Sequence, residues 1–268
     1  MMDKKIGKGS YGNVFLATDK NNKSVAIKIF SNSRKSNRTE VNIYKILTKV
    51  KNYTNYLPKI YYIFENYVFY YMIMEYYPKG HLCKDLIVKY PSVFTLDKIV
   101  DTIKQIVDII EFIHNKKLII NDLKPDNIMI NNNFEPRIID LGLFSHEDIY
   151  NNICGTPYYL PPESFDNIFS YYKKDIWSLG LTIYNFLFDI NPFKRIISRN
   201  YNKKIIINKN EIDNVIKEIE ESFSHLDIVM NNNYEKIIHI KEFVLNCLNK
   251  DFEKRPDIFI LKSNIISN

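Results

Sequence analysis

Four polar side chains near apolar runs have the chemistry to bind a phosphate group and a metal ion. They are Lys28, Asp122, Asn127 and Asp140. Carboxylate and amide oxygens are hard ligands of the kind that Mg²⁺ takes, and a magnesium nucleotide is usually held by one or two carboxylates besides its own phosphates. A lysine ammonium pairs with phosphate oxygens. One carboxylate would then bind the metal while another accepts a proton from a hydroxyl.

Each of these residues has a simpler interpretation when it is taken alone. A lysine such as Lys28 is usually a surface residue, and Asp126 with Asn127 is also typical of a polar turn between two strands. Glu40 is the only carboxylate between Lys28 and Glu65. If Lys28 needs a partner to hold its position, Glu40 is the local candidate.

A glycine-rich turn precedes these residues. Gly7, Gly9, Gly12 and Val14 form the pattern G-x-G-x-x-G-x-V, whose backbone amides can approach phosphate oxygens because no Cβ intervenes. A dinucleotide-binding turn would need a strand before the glycines and a helix after them. Few residues precede Gly7, so we expect a short first strand and no regulatory extension, and the following segment NVFLAT is strand-like. The pattern therefore favours a strand–turn–strand flap over a nucleotide.

The elements that must position these groups change in character along the chain. The early runs SYGNVFLAT, SVAIKIF, KIYYIFE and YVFYYMIMEYY are rich in branched and aromatic residues, which predicts a small antiparallel sheet. One helix interrupts it, with Val41, Tyr44, Ile46 and Leu47 towards one face. The boundary with the helical part falls near residues 78–81.

Helices dominate the remainder. Isoleucines recur at steps of three and four between residues 99 and 113, which predicts an amphipathic helix of several turns. Further helices are predicted at Lys174–Phe188, Glu211–Phe223 and Tyr234–Asn249.

Composition limits the class of protein. The 268 residues are 46% hydrophobic, enough for one large domain or two close lobes. We find no membrane span and no signal peptide. Cys83, Cys154 and Cys247 lack metal-ligand spacing, which favours reduced thiols and an intracellular location, cytoplasmic or nuclear.

A basic segment follows the central helices. Residues 194–209 hold Lys194, Arg195, Arg199, Lys203, Lys204 and Lys209 without an acidic residue. A solvated loop is the common interpretation of such a charge run, and docking of an acidic protein surface, an acidic substrate segment or nucleic acid is the alternative. We expect a protein partner rather than nucleic acid.

The motifs and their order resemble the eukaryotic-type protein kinases, from Gly7 to about Arg255. The matching segments are the phosphate-covering loop GKGSYGNV, the strand VAIK, the helix residue Glu40, the catalytic loop DLKPDN, the metal-binding triplet DLG, PPE closing the activation segment, and DIWSLG in the helix under the catalytic loop. Arg255 is similar to the family's buried arginine that pairs with a glutamate, here Glu163. All seven glycines and the only tryptophan, Trp177, lie within or beside such motifs.

The resemblance implies roles for the polar residues in phosphoryl transfer from ATP. Asp122 would orient the acceptor hydroxyl as catalytic base, Asn127 and Asp140 would hold Mg²⁺ or Mn²⁺, and Lys28 would steady the α- and β-phosphates. Lys124 would lie near the transferred phosphate.

Further roles come from the same resemblance. Thr156 is similar to the threonine that supports the catalytic aspartate and lysine in serine/threonine kinases, and Glu40 would hold the phosphate-pairing lysine. Gly7, Gly9 and Gly12 would cover the phosphates. The residues expected around adenine are Met74 at the back of the pocket, the Glu75 carbonyl and Tyr77 amide facing the base, and Val14, Ala26 and Met129 on either side of the ring.

Two residues before Asp122 depart from the family pattern. Ile120 and Asn121 stand where the family has histidine and arginine, and that arginine commonly binds a phosphorylated activation segment. Without this cation, a switch of that form lacks its main contact. We therefore expect activity that does not require phosphorylation of the activation segment.

The resemblance implies an α+β, bilobal protein kinase fold in a single domain of residues 1–268. Residues 1–77 would form a small β-rich N-lobe and residues 78–268 a larger helical C-lobe. We expect a monomeric serine/threonine kinase acting on protein substrates. A pseudokinase that binds nucleotide as a scaffold is the main alternative, because of Ile120 and Asn121, and a small-molecule kinase of related fold is a further one. Substrate preference stays open, since Asp126 favours basic and the segment 194–209 acidic substrates.

Overall fold

A computed structural model describes residues 2–9, 12–146, 154–168, 170–199, 204–229 and 234–266. The chain forms two compact units. The first comprises Met1–Gly80 and Met129–Phe144, and the second comprises His81–Ile128 and Ser145–Asn268. The predicted assignment of residues 1–77 and 78–268 to two lobes of one domain stays a prediction.

An antiparallel sheet of five strands forms most of the first unit. Its strands are β1 (Met2–Gly9), β2 (Gly12–Thr18), β3 (Ser24–Ser31), β4 (Ile60–Glu65) and β5 (Phe69–Glu75), in the spatial order β1-β2-β3-β5-β4. The predicted sheet is confirmed. The expectation of a short first strand is wrong, because β1 has 8 residues and pairs with β2 along its length.

Helix α1 (Lys35–Leu47) interrupts the strands, as predicted, but its buried face differs by one residue. Val41, Tyr44 and Leu47 are buried, whereas Ile46 is 63% exposed. Two positions along a helix turn by about 200°, so Ile46 faces away from Tyr44, and Ile43 fills the buried face instead. Two further short strands complete this part, β7 (Ile128–Ile130) and β8 (Pro136–Ile138).

The second unit is mainly helical. Its helices are α2 (Lys84–Lys89), α3 (Leu96–His114), α4 (Tyr172–Phe188), α5 (Ile212–Val229), α6 (Tyr234–Cys247) and α7 (Ile258–Ile266). Two pairs of short strands accompany them, β6 (Leu118–Ile119) with β9 (Ser145–His146) and β10 (Ile197–Arg199) with β11 (Ile205–Ile207). The isoleucines at 99, 103, 106, 110 and 113 are all buried along α3, as their spacing predicts.

The chain therefore has an α+β fold with a strand-rich and a helix-rich part, which confirms the predicted fold class. The predicted helices near 174, 211 and 234 correspond to α4, α5 and α6. Within the part of the chain that the structure describes, every helix is too short or too polar to cross a membrane.

Candidate active site

In the first unit, a buried lysine joins two carboxylates. Lys28 lies on β3, and its Nζ is 2.6 Å from Oε1 of Glu40 on α1 and 3.1 Å from Oδ1 of Asp140. Burial acts to lower the pKa of Lys28, but the negative charges of Glu40 and Asp140 outweigh it and raise the pKa above its ordinary value. Lys28 therefore carries a positive charge at neutral pH, and it is the pairing partner of Val14 on the neighbouring strand β2.

Asp140 has an unusual backbone conformation. It follows β8 with φ +62°, in the left-handed region, which is uncommon for a residue other than glycine. Leu141 behind it is fully buried, and the helical turn Leu141–Leu143 contacts α1. Packing of the leucine therefore holds the aspartate in place, while a quarter of its side chain stays accessible, at 26%.

The glycine-rich turn is described at its two ends. Gly9 of β1 is the pairing partner of Gly12 of β2, and residues 10–11 between them lie outside the described part. A Cβ at position 12 would be 2.6 Å from the carbonyl oxygen of Ile29, so Gly12 is needed for close contact between β2 and β3. A Cβ at Gly7 would make only an ordinary contact, 3.5 Å from Cβ of Val14.

All six residues predicted around adenine lie in the first unit. They are Val14, Ala26, Met74, Glu75, Tyr77 and Met129. Ala26 on β3 is the pairing partner of Met74 on β5, and Val14 lies on the adjoining strand β2. The amide of Glu75 donates to the carbonyl oxygen of Lys59, at 2.9 Å. Three neighbouring strands thus carry four of the six residues, while Tyr77 follows β5 and Met129 lies in β7.

In the second unit, four predicted residues form one hydrogen-bonded cluster around Asp122. Its Oδ1 accepts hydrogen bonds from the amide and the Oγ1 hydroxyl of Thr156, at 2.8 and 2.6 Å. Its Oδ2 accepts from Nζ of Lys124 at 2.8 Å and from Nδ2 of Asn127 at 3.1 Å. The Lys124 ammonium also donates to Thr156 Oγ1, at 2.6 Å.

These bonds set the charge of Asp122. Burial acts to raise its pKa, but the hydrogen bonds from Lys124 and Thr156 outweigh burial and bring the pKa below its ordinary value. Asp122 is therefore ionised at neutral pH and able to accept a proton from a hydroxyl placed beside it.

A buried aspartate fixes the segment that carries Asp122. Asp175 is fully buried in the first turn of α4, and its carboxylate accepts from the amides of Ile120 and Asn121 at 2.8 and 2.9 Å and contacts His114 Nε2 at 2.9 Å. Its anchoring role was missed from the sequence. An acidic residue directly before the mainly apolar run that begins at Ile176 is the signal that indicates such a role.

A second ion pair in this unit follows the activation segment. Nη1 of Arg255 is 2.8 Å from Oε1 of Glu163, both buried, and the guanidinium lies 5.0 Å from the ring of Trp177. The sequence predicts this pair from the family resemblance, and the structure contains it.

The basic segment 194–209 is partly engaged within the chain. Arg195 makes two hydrogen bonds to Glu218, and Lys209 pairs with Asp166. Residues 200–203, including Lys203, lie outside the described part.

Comparison with known proteins identifies the family of the chain. Residues 1–264 match the family model of the protein kinase domain. The chain is 31% identical to calcium-dependent protein kinase 5 of Plasmodium berghei over 264 residues, which is 95% of this chain and 43% of that protein. It is 33% identical to Aurora kinase A-B of Xenopus laevis, over 70% of this chain and 47% of that protein. The chain thus spans less than half the length of these two relatives.

Proposed function

Because the chain belongs to the protein kinase family, we propose that it transfers the γ-phosphate of ATP to serine and threonine hydroxyls of proteins. The cluster in which Thr156 and Lys124 both bind the Asp122 carboxylate is the observation that carries the proposal. It provides an ionised acceptor for the hydroxyl proton with a lysine 2.8 Å away.

The hydrogen bonds around Asp122 indicate how the acceptor hydroxyl enters. Four donors already bind its two oxygens, and a carboxylate offers about four such positions. A hydroxyl must therefore displace one of them. Lys124 is the donor suited to move, because its ammonium is flexible and a nearby phosphate attracts it.

Phosphoryl transfer then follows from positioning and charge. The acceptor hydroxyl gives its proton to Asp122 while its oxygen bonds to the γ-phosphorus, and the bond to the β-phosphate oxygen breaks to release ADP. Lys124 stabilises the charge on the transferred group. Lys28, charged and held by Glu40, pairs with the α- and β-phosphates beneath Gly7, Gly9 and Gly12.

Asn127 and Asp140 have atoms that fit a divalent cation. Nδ2 of Asn127 donates to Asp122, so Asn127 would hold the cation through its amide oxygen. Oδ1 of Asp140 accepts from Lys28, and Asp140 would hold the cation through its carboxylate. When bound, Mg²⁺ or Mn²⁺ would neutralise phosphate charge.

A phosphorylation assay on a peptide library tests acceptor and substrate class together. Purified protein and radiolabelled ATP are incubated with three matched peptide libraries whose single acceptor is serine, threonine or tyrosine, and with amino sugars and choline as small acceptors. We expect label in the serine and threonine libraries. Label in small acceptors alone would contradict the proposal.

We further propose that activity does not need phosphorylation of the activation segment. Asn121 replaces the phosphate-binding arginine of the family, and its side chain is instead hydrogen-bonded to Ser145 at 2.9 Å. We expect a phosphatase-treated sample to keep its activity. Loss of most of the activity would contradict this part of the proposal.

Charge and thiols support proposals on partners and location. An acidic protein would dock on the segment 194–209 through its exposed cations, among them Lys194 and Arg199. A cytoplasmic or nuclear location fits the free thiols of Cys83, Cys154 and Cys247, and we propose that the protein acts as a monomer.

A further inference from the structure

A buried lysine lies beside the Asp122 cluster and has no part in the mechanism above. Lys174 is in the first turn of α4 and is 1% exposed. Its Nζ donates to Oδ1 of Asn121, at 3.1 Å, and to the backbone carbonyl oxygen of Cys154. The sequence interpretation did not single it out, because Lys173 and Lys174 look alike as a basic pair before an apolar helix.

A buried ammonium group has a large desolvation penalty, so it is an unfavourable means of stabilising a fold. Burial lowers the pKa of Lys174, although the nearby Cys154 and the carboxylates Asp175 and Asp122 act to raise it. Taking a charged group out of water is strongly unfavourable, and its contacts offset this only when their geometry is very good. Stability alone therefore gives little reason for a lysine at this position.

The contacts of Lys174 lead directly to the catalytic aspartate. Cys154, whose carbonyl it binds, is followed by Gly155 and then by Thr156, which donates twice to Asp122. Gly155 has φ +120°, and a Cβ there would be 2.3 Å from the carbonyl oxygen of Asn121. The backbone of residues 154–156 is thus pressed against the catalytic loop at one point and held by Lys174 next to it.

Asn121 connects Lys174 to a second segment of the chain. Its Oδ1 accepts from Lys174 and its Nδ2 donates to Oγ of Ser145, at 2.9 Å. The pair therefore binds Ser145 and Cys154, the two sides of the segment 147–153. The cation that the resemblance leads one to expect at position 121 is present here, but it is supplied by position 174.

We propose that Lys174 is a positioning residue for phosphoryl transfer. Its buried ammonium, bound to Asn121, fixes the carbonyl of Cys154 and so places Thr156 on Asp122 without a phosphate group. This inference rests on the proposed kinase activity and adds the means by which the site is held ready.

Replacing Lys174 by methionine tests the proposal, because methionine keeps the length of the side chain and removes the charge and the donors. We expect kcat to fall about tenfold or more, since small displacements of positioned groups have effects of this size. The KM for ATP should stay within about twofold, because the proposed phosphate-binding lysine is Lys28. Lys173→Met is the matched control; Lys173 binds the carbonyl of Arg255 instead, and we expect its kcat to be unchanged.

Hydrogen exchange reports the same change without an activity assay. In Lys174→Met, peptides covering residues 154–160 should exchange their amides faster than in the wild type, with little change along α3. An inactive wild-type protein would contradict the proposed function, whereas a Lys174→Met variant with wild-type kcat and exchange would overturn this inference alone. If that variant does not fold, Lys174→Gln receives the same measurements. Failure of both variants to fold would assign Lys174 to stability and also overturn the inference.

Discussion

At Asp122, four hydrogen bonds decide the protonation of one carboxylate. Two come from Thr156, one from Lys124 and one from Asn127, and those from Lys124 and Thr156 outweigh the effect of burial on the pKa. The same bonds that prepare the aspartate to accept a proton therefore also stabilise the folded chain, because a lowered pKa is linked to stability.

Lowering the pH should show this link between the pKa of Asp122 and the stability of the protein. The pKa of Asp122 lies below its ordinary 3.8 in the folded state, so its contribution is present above about pH 3.8 and is lost as the pH falls through the folded pKa. We expect the difference in the free energy of unfolding between wild type and Asp122→Asn to shrink from pH 5 to pH 2.5. Urea unfolding at both pH values measures it, and a difference that does not change with pH would contradict the assignment.

Gly155 is the second residue whose type is set by its local surroundings. Its φ is +120° and a Cβ would meet the Asn121 carbonyl at 2.3 Å, whereas Gly80, with φ +83°, has open space around its Cα. Both alanine variants carry backbone strain of about 1–3 kcal/mol, but only Gly155→Ala should also displace Thr156 from Asp122. We expect kcat to fall about tenfold or more in Gly155→Ala and to stay near wild type in Gly80→Ala. Equal kcat values in steady-state assays would show that the contact is unimportant.

Residue types alone identify the charged groups but not all of their neighbours. The cluster of Asp122, Lys124, Asn127 and Thr156 follows from motifs that are recognisable in the sequence. Lys174 does not, because its burial depends on how α4 packs against segments more than 20 residues away in the chain, such as Asn121. Local sequence patterns carry no information on such packing.

Among the elements, α1 shows how helical spacing decides which side chains are buried. Ile43 is 6% exposed and Ile46 is 63% exposed in the same helix. Both are isoleucines three positions apart, so comparing them separates burial from helix propensity.

The matched substitutions Ile43→Ala and Ile46→Ala test the face that α1 buries. Removing a buried isoleucine side chain costs about 2–5 kcal/mol, whereas surface changes usually stay within about 0.5 kcal/mol. We expect denaturant unfolding to show this contrast, with Ile43→Ala clearly less stable. Similar losses for both variants would mean that Ile46 is buried, as the sequence pattern first indicated.

Long, strongly periodic elements were the predictable part of the fold. The isoleucine repeat of α3 and the branched and aromatic strands of the sheet carry their own signal. The six-residue helix α2 and the nine-residue helix α7 were not predicted, because short segments show too few turns for a period to be visible. The pairing of β6 with β9 joins residues 118–119 to 145–146, a contact that no local pattern specifies.

At the scale of the whole molecule, the order of the motifs was the strongest signal of the family, and the match of residues 1–264 to the protein kinase domain confirms the family.

One buried ion pair connects parts of the chain that are distant in sequence. Arg255 and Glu163 are 92 residues apart, and the arginine also binds the carbonyl oxygens of Asn249 and Lys173.

Replacing only one partner of this ion pair should lower the stability of the protein more than replacing both partners. Arg255→Met leaves the Glu163 carboxylate buried without its partner, which typically costs about 3–5 kcal/mol. We expect the double variant Arg255→Met with Glu163→Gln to regain part of this loss, measured by urea unfolding. A double variant as unstable as the sum of both single variants would show that the two side chains do not interact.

Transfer of ³²P from labelled ATP to the serine and threonine peptide libraries is the most direct test of the proposed activity. It is measured for wild type, Asp140→Asn and Asp122→Asn, with ATP binding followed separately by calorimetry. We predict transfer by the wild type, with losses of at least about 10²-fold in both variants, since each removes a group placed for the transferred phosphate or the hydroxyl proton. A wild-type protein that binds ATP without transferring phosphate, or variants that transfer it at the wild-type rate, would contradict the account.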